Sequence, residues 1–279
     1  MVIIQLREGV GGSRGVYNPV MPVIDRHPSG SFCWIELATT DQNAAKSFYS
    51  SLFGWTVNDV PMGPNDSYSM FQLQGRDAGA AYTLRPDQRS QGVPPHWLVY
   101  VAVENADDAA NRVSQLGGKV LAPAFDVFDV GRMSVLQDPT GAVFAVWQAK
   151  KHRGTGITGE NGTLCWADLN TPDPARAKQF YEGLFGWKLV TGEKDPSGYL
   201  HIMNGEEFIG GIPPAHNGHM PPHWLAYFIV SEVDATADKA KQMGAKVHLP
   251  PTTMENVGRF AVLADPQGAA FAIFKEARR

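Results

Sequence analysis

Two stretches of this chain are one segment written twice, and that duplication constrains the fold more than any other feature. The run from Pro94-Pro95-His96-Trp97 through Asp138-Pro139-Thr140-Gly141 to Trp147 returns from Pro221-Pro222-His223-Trp224 through Asp265-Pro266-Gln267-Gly268 to Phe274, each position displaced by 127 residues. An upstream pair repeats as well. Trp34-Ile35-Glu36-Leu37, Phe48-Tyr49 and Phe53-Gly54-Trp55 reappear as Trp166-Ala167-Asp168-Leu169, Phe180-Tyr181 and Phe185-Gly186-Trp187, displaced by 132. The second half is therefore five residues shorter between its two repeated segments. A chain of 279 residues exceeds what one core usually supports, and about 150 residues per domain already suggests two. The boundaries implied are a flexible extension over residues 1–29, a first domain over 30–150, a linker over 151–162 and a second domain over 163–279. Any site in one half should have a relative in the other.

Each half reads as two units that begin with a strand and pass into a helix. Phe32 to Thr39 alternates with β-branched and aromatic residues, as a strand does. Asp41 then caps a helix carrying Ala45, Phe48, Tyr49 and Leu52 at helical spacing, with Gly54 at its C-terminal stop. Its copy starts at Asp173-Pro174 and ends at Gly186. The other units open at His96 and His223, and their helices end at Gly117 and Gly244. The turns at Asp138–Gly141 and Asp265–Gly268 link later strands. Strand, helix, then three strands, four times over, predicts an α+β protein with helices on one face of curved mixed sheets.

A net charge of −4 and a pI near 6.1 leave no electrostatic footprint for nucleic acid. No apolar run approaches the roughly 18 residues a membrane helix needs. Cys33 and Cys165 occupy matching positions and read as two copies of one core thiol, which fits a reducing cytoplasm. No secretory signal pattern opens the chain, and Met21 is a second candidate start because the repeats begin shortly after it. The expected partner is a small molecule, with the protein a monomer or homodimer in the cytoplasm.

This plan of paired βαβββ modules resembles the vicinal oxygen chelate superfamily of glyoxalases, bleomycin-resistance proteins and dioxygenases. It is most similar to a tandem-domain branch known from mycobacteria and streptomycetes. Beyond the repeats above, Thr40-Asp41, Gly131-Arg132-Met133-Ser134, Trp147-Gln148-Ala149 and Gly258-Arg259-Phe260-Ala261 carry the likeness, which spans about residues 27–276. It implies two tandem glyoxalase-like domains. It also implies slots for a divalent metal on the first and last strands of the modules, and these fall on Trp34 and Trp166, Leu98 and Leu225, and Ala145 and Ala272. None of those side chains can ligate a hard or borderline cation. No metal and no other cofactor is therefore expected.

Strand alternation places Cys33, Ile35 and Leu37 under the helices, and Trp34 and Glu36 on the concave side. By the same rule His96, Leu98 and Tyr100 line the concave side, as do Trp166, Asp168, His223, Leu225 and Tyr227 in the copy. Candidate catalytic residues are Glu36, Asp168, His96, His223, Tyr100 and Tyr227. Candidate ligand contacts are Trp34, Trp166, Leu98, Leu225, Arg132, Arg259 and Trp147. A carboxylate beside an indole is partly desolvated and so approaches a usable general base. The competing structural readings are a Glu36–Arg132 ion pair, histidines fixing the Pro-Pro turns, and tyrosines serving only to pack.

These features suggest a concave pocket for a small aromatic or carbonyl-bearing metabolite, with lyase or isomerase chemistry by proton transfer if the protein is an enzyme. The alternatives are a sequestering protein of the bleomycin-resistance kind and a metal-dependent glyoxalase or dioxygenase using displaced ligands such as Glu36 with His96. His216, His219 and His223 lie three and four residues apart, but Gly218 and the prolines deny them a helix that would align them, and no metal site is expected there.

Overall fold

The computed structural model describes residues 24–64, 66–192, 197–215 and 220–277. Most of the expected N-terminal extension, with Met21, lies outside them, as do His216 and His219.

The first half runs β1 (Phe32–Thr39), α1 (Gln42–Phe53), β2 (Thr56–Gly63), β3 (Asp66–Leu73) and β4 (Arg76–Thr83). It continues through the short α2 (Pro86–Ser90) into β5 (His96–Ala102), α3 (Ala106–Gln115), β6 (Lys119–Val127), β7 (Gly131–Gln137) and β8 (Val143–Ala149). The second half repeats it with β9 (Leu164–Asn170), α4 (Pro174–Phe185), β10 (Lys188–Thr191), β11 (Leu200–Asn204) and β12 (Glu207–Ile212). Then come β13 (His223–Ile229), α5 (Val233–Gln242), β14 (Lys246–Met254), β15 (Gly258–Ala264) and β16 (Ala270–Glu276). The four βαβββ modules are thus present, in two tandem domains.

The caps form where the sequence signals them. Asp41 accepts from the Ala44 amide and Asp173 from the Arg176 amide, while Gly54 and Gly186 close their helices at φ 74° and 72°. That left-handed backbone costs a glycine little and most other residues much more.

Each half makes one eight-stranded sheet, ordered β2-β3-β4-β1-β5-β8-β7-β6 and β10-β11-β12-β9-β13-β16-β15-β14. Its two modules meet through the antiparallel pairs β1–β5 and β9–β13, and each first strand lies parallel to its module's last. The modules that share a concave face are therefore the two within one half. The four first and last strands occupy its centre.

A single apolar core runs between the sheets, joining Ile35, Leu37, Phe48, Tyr49 and Trp97 of the first half to Leu169, Phe180, Tyr181, Trp224 and Phe271 of the second. The convex, helix-bearing faces pack against each other there. The Phe53 and Phe228 rings, one from each half, are 5.0 Å apart. A separate cluster of Trp34, Ala80, Leu98, Tyr100, Ala145 and Trp147 lines the concave face of the first sheet.

One expectation about faces is corrected. Cys33 joins the concave cluster rather than the helix side, because the pairing with β5 slips between Phe32 and Trp34 and leaves Cys33 in a bulge. Two residues then face one on the partner strand, and alternation is reset. Phe32 turns instead to the interdomain core, 5.7 Å from Trp187 and 5.3 Å from Trp224. The second half has the same slip at Cys165.

Residues 150–157 hold to the first domain as a strap. The Thr155 amide donates to the Cys33 carbonyl and the Gly156 amide to the Asp77 carbonyl, both at 2.8 Å.

Candidate functional site

β1, β3 and β5 place three side chains in contact across the first concave face. Glu36 Oε2 accepts from the Tyr68 hydroxyl at 2.7 Å, and Oε1 accepts from the Tyr100 hydroxyl at 3.0 Å. Trp34 Nε1 donates to the Tyr68 oxygen at 3.1 Å. The second face rebuilds this cage from Asp168, Tyr199, Tyr227 and Trp166. Asp168 accepts from Tyr199 at 2.5 Å and from Tyr227 at 2.8 Å, and Trp166 Nε1 donates to Asp168 and to the Tyr199 oxygen, each at 2.9 Å.

Burial raises both carboxyl groups above their ordinary range, and the hydroxyl donors pull them partly back. Asp168 is pushed up to about 6. The Tyr68, Tyr100, Tyr199 and Tyr227 phenols are raised by burial first and then by the carboxylate beside them, so they keep their protons at neutral pH. Each cage is thus a carboxylate gripped by two neutral phenols.

The two cages differ in what reaches them. Glu36 is half-buried with a longer side chain, whereas Asp168 is only 6% exposed. The tryptophans show the reverse order. Trp34 is 4% exposed because His152, from the strap, stands edge-on against it at 4.6 Å, while Trp166 is half-buried. The first face continues over Met133 to the exposed Phe125, which pairs with it across β6 and β7. In the second, Phe260 lies 6.3 Å from Tyr227, and His201 stands 4.9 Å from Tyr199.

Tyr68 and Tyr199 are site residues that the sequence reading did not name. Their displacement of 131 falls between the 132 and 127 of the recognised repeats. It shows one residue lost before them and four after, where the first half carries α2. That registration was the signal available.

The other nominated residues are dispersed. Leu98 and Leu225 are buried on their central strands, and Trp147 caps the first face with Nε1 donating to the His152 carbonyl at 3.0 Å. Gly131 lies beneath that indole, where a Cβ would overlap the ring. His96 and His223 donate through Nδ1 to the Pro94 and Pro221 carbonyls at 2.8 and 2.9 Å, inside their own turns.

Arg132 and Arg259 stand apart from the cages. Arg132 forms a two-pronged pair with Asp107 of α3, and Arg259 does the same with Asp234 of α5. The supposed Glu36–Arg132 pair is replaced by Glu36 with its two tyrosines, because Arg132 on β7 points toward α3. Asp126 and Asp129 pair with Lys150 and Lys151.

A cavity of about 290 Å³ opens at the end of the first sheet, bounded by Arg26, His27, Cys33, Trp147, Lys150 and Arg153 rather than by the cage. Its basic groups are engaged: Arg26 with Glu104, Lys150 with Asp126, and Arg153 with the Asp25 carbonyl.

The sequence profile of the Glyoxalase/Bleomycin resistance protein/Dioxygenase superfamily matches residues 31–146 and again 163–273. The chain belongs to this superfamily, with both domains of the tandem accounted for. It is 42% identical over 263 residues to the "Putative glyoxylase CFP32" of Mycobacterium tuberculosis, covering 92% of this chain and 99% of that protein. It is 33% identical over 262 residues to the anthracycline biosynthesis protein DauV of Streptomyces sp. strain C5, covering 89% and 94%. Among solved structures, the Mn(II)-bound glyoxalase from Novosphingobium aromaticivorans superposes with a TM-score of 0.61 at 15% identity, over 90% of this chain and 83% of that one.

The slots that the family resemblance assigns to a divalent metal carry no donor side chain here. The central strands present Trp34, Ala80, Leu98 and Ala145 in one half and Trp166, Gly211, Leu225 and Ala272 in the other. Among the described residues no group of three or more His, Cys, Asp or Glu is placed to hold a metal ion. An indole, a methyl and an isobutyl group offer a cation no lone pair, so no step is routed through a metal.

Proposed function

We propose that the protein binds a small aromatic or carbonyl-bearing metabolite on its concave faces and, as an enzyme, acts on it as a metal-independent lyase or isomerase. The observation that carries this reading is the carboxylate bridged by two phenols at the sheet centre. Such a cage can accept a proton and supply donors in one movement. When a carbon or oxygen acid of the ligand gives its proton to Glu36, the carboxyl group weakens as an acceptor. The Tyr68 and Tyr100 hydroxyls are then released toward the ligand oxygen on which charge develops. Asp168 with Tyr199 and Tyr227 has the parts for the same exchange.

The likeness to an anthracycline biosynthesis protein favours a flat, oxygenated aromatic ligand. Met133, Phe125 and the tyrosine rings offer apolar area for one.

A second reading, sequestration without turnover, is favoured by the same hydrogen bonds, because the free protein keeps its phenol and indole protons inside the cage. Thermal shift against flat hydroxylated aromatics and dicarbonyls finds the ligand class. A ligand at a hundredfold its Kd adds about 2.7 kcal/mol of apparent stability. In an enzyme, Glu36→Gln and Asp168→Asn lower turnover far more than they weaken binding; in a sequestering protein there is no turnover to lose. Stoichiometric Ni, Zn, Fe or Mn in protein purified without a His tag would contradict the metal-independent reading.

A further inference from the structure

The two carboxylates are unequal acceptors. A carboxylate has about four lone-pair positions. Asp168 receives three protein donors, two hydroxyls and an indole N–H, at 2.5–2.9 Å. Glu36 receives two, at 2.7 and 3.0 Å, because the Trp34 N–H stops at the Tyr68 oxygen. Glu36 is one methylene longer than Asp168, and the Trp34 indole, with His152 edge-on against it at 4.6 Å, donates to Tyr68 instead.

The donors within the Glu36 cage are already committed. Both phenol protons point at the carboxylate and the indole proton points at a phenol, so the resting cage has acceptor capacity to spare and no donor. A ligand that offers only acceptors, such as a carboxylate or an ether, meets lone pairs with lone pairs. A ligand with an O–H or N–H can complete the shell of Glu36. Charge-assisted bonds of this kind are among the stronger hydrogen bonds.

We infer that the first concave face selects ligands carrying a hydrogen-bond donor on a flat apolar body, phenols foremost, with Glu36 as the acceptor, and that the second face, whose carboxylate already takes three donors and is only 6% exposed, does not. This rests on the organic-pocket reading above and narrows its ligand class. The flat body lies toward Met133 and Phe125, the apolar flank of the cage nearest Tyr100; the Tyr100 oxygen is 4.0 Å from the Met133 sulfur.

The test is a matched pair of probes, 2-naphthol and 2-methoxynaphthalene, which differ in one donor proton, titrated into the full chain by ligand-observed NMR. The wild type should bind the naphthol about tenfold or more tightly than the ether. Glu36→Gln, which puts an N–H donor in place of one carboxylate oxygen, should cut that preference to about threefold or less with no loss of affinity for the ether. Tyr100→Phe, which relieves Glu36 of a competing donor, should tighten naphthol and leave the ether unchanged, whereas a merely structural tyrosine would weaken both. A thermal melt of each variant verifies folding. Equal binding of the two probes overturns donor selection yet leaves an organic pocket standing. Loss of the preference in Asp168→Asn in place of Glu36→Gln moves the site to the second face and overturns the assignment. Binding of neither probe removes both readings.

Discussion

The hydroxyl of Tyr49, on the first helix of one domain, donates to Oδ2 of Asp265, in a turn of the other, at 3.0 Å. Its mirror is present too: Tyr181 donates to Asp138 at 3.0 Å. Each aspartate spends its other oxygen on its own turn, Asp265 on the Gln267 and Ala269 amides and Asp138 on those of Thr140, Gly141 and Ala142. Each tyrosine oxygen in turn accepts an indole N–H, from Trp97 or Trp224. Tyr49→Phe or Tyr181→Phe strands a buried carboxylate oxygen and an indole N–H. Each should cost about 1–3 kcal/mol in urea denaturation; a change under about 0.3 kcal/mol would mean that the bonds do not hold the domains.

The same interface predicts that neither half stands alone. Trp55 Nε1 donates to the Gly162 carbonyl and Trp187 Nε1 to the Gly30 carbonyl, so each domain begins against the other's tryptophan. Separated halves would expose Phe48, Phe53, Phe180 and Phe228, all buried in the shared core. The full chain should unfold in one transition, and residues 24–157 expressed alone should aggregate or bind a hydrophobic dye. A cooperative melt of that fragment at the parent temperature would refute this.

Asp168 makes stability depend on pH in a defined window. Its folded pKa is raised by burial from 3.8 to about 6. Between those values the folded protein holds a proton that the unfolded chain has released, so stability falls as pH rises from about 4 to about 6 and this group adds no slope above it. The full effect is about 3 kcal/mol, from roughly 1.4 kcal/mol per pKa unit. Subtracting Asp168→Asn from wild type isolates it, since most other groups cancel. A difference that stays flat from pH 4 to 7 would exclude the shift.

Gly211 controls the same cage from below. A methyl group there would collide with the Tyr199 hydroxyl, displacing it from Asp168. Gly211→Ala should destabilise the protein by about 1–3 kcal/mol. It should also raise the Asp168 midpoint further, because the Tyr199 hydrogen bond is one of the contacts that lower it. Carboxyl-carbon NMR reads the midpoint directly, and an unchanged value would show that Tyr199 is not held by this contact.

Part of the site was legible because it is written locally. Glu36 and Trp34, two residues apart on one strand, share a face by alternation, and Leu98 and Tyr100 do so on theirs. Where alternation broke, the reading broke with it: one bulge turned Cys33 to the concave side. Arg132 was misplaced for a related reason, since its partner, Asp107, lies on a helix 25 residues earlier in the chain. Tyr68 escaped notice because its strand carries a weak repeat. His152 did so because it comes from a segment that reads as linker.

By itself the sequence determined that the chain is two copies of a paired βαβββ plan and that its strands set indole, isobutyl and carboxylate groups on one face. Those facts follow from internal repetition and from strand periodicity, which need only neighbouring residues. The tertiary structure decided which modules share a sheet, which phenols close on each carboxylate, and that the helix tyrosines fasten one domain to the other. Such contacts join residues 31 to 216 positions apart, and their geometry exists only after the strands have paired and the apolar faces have met.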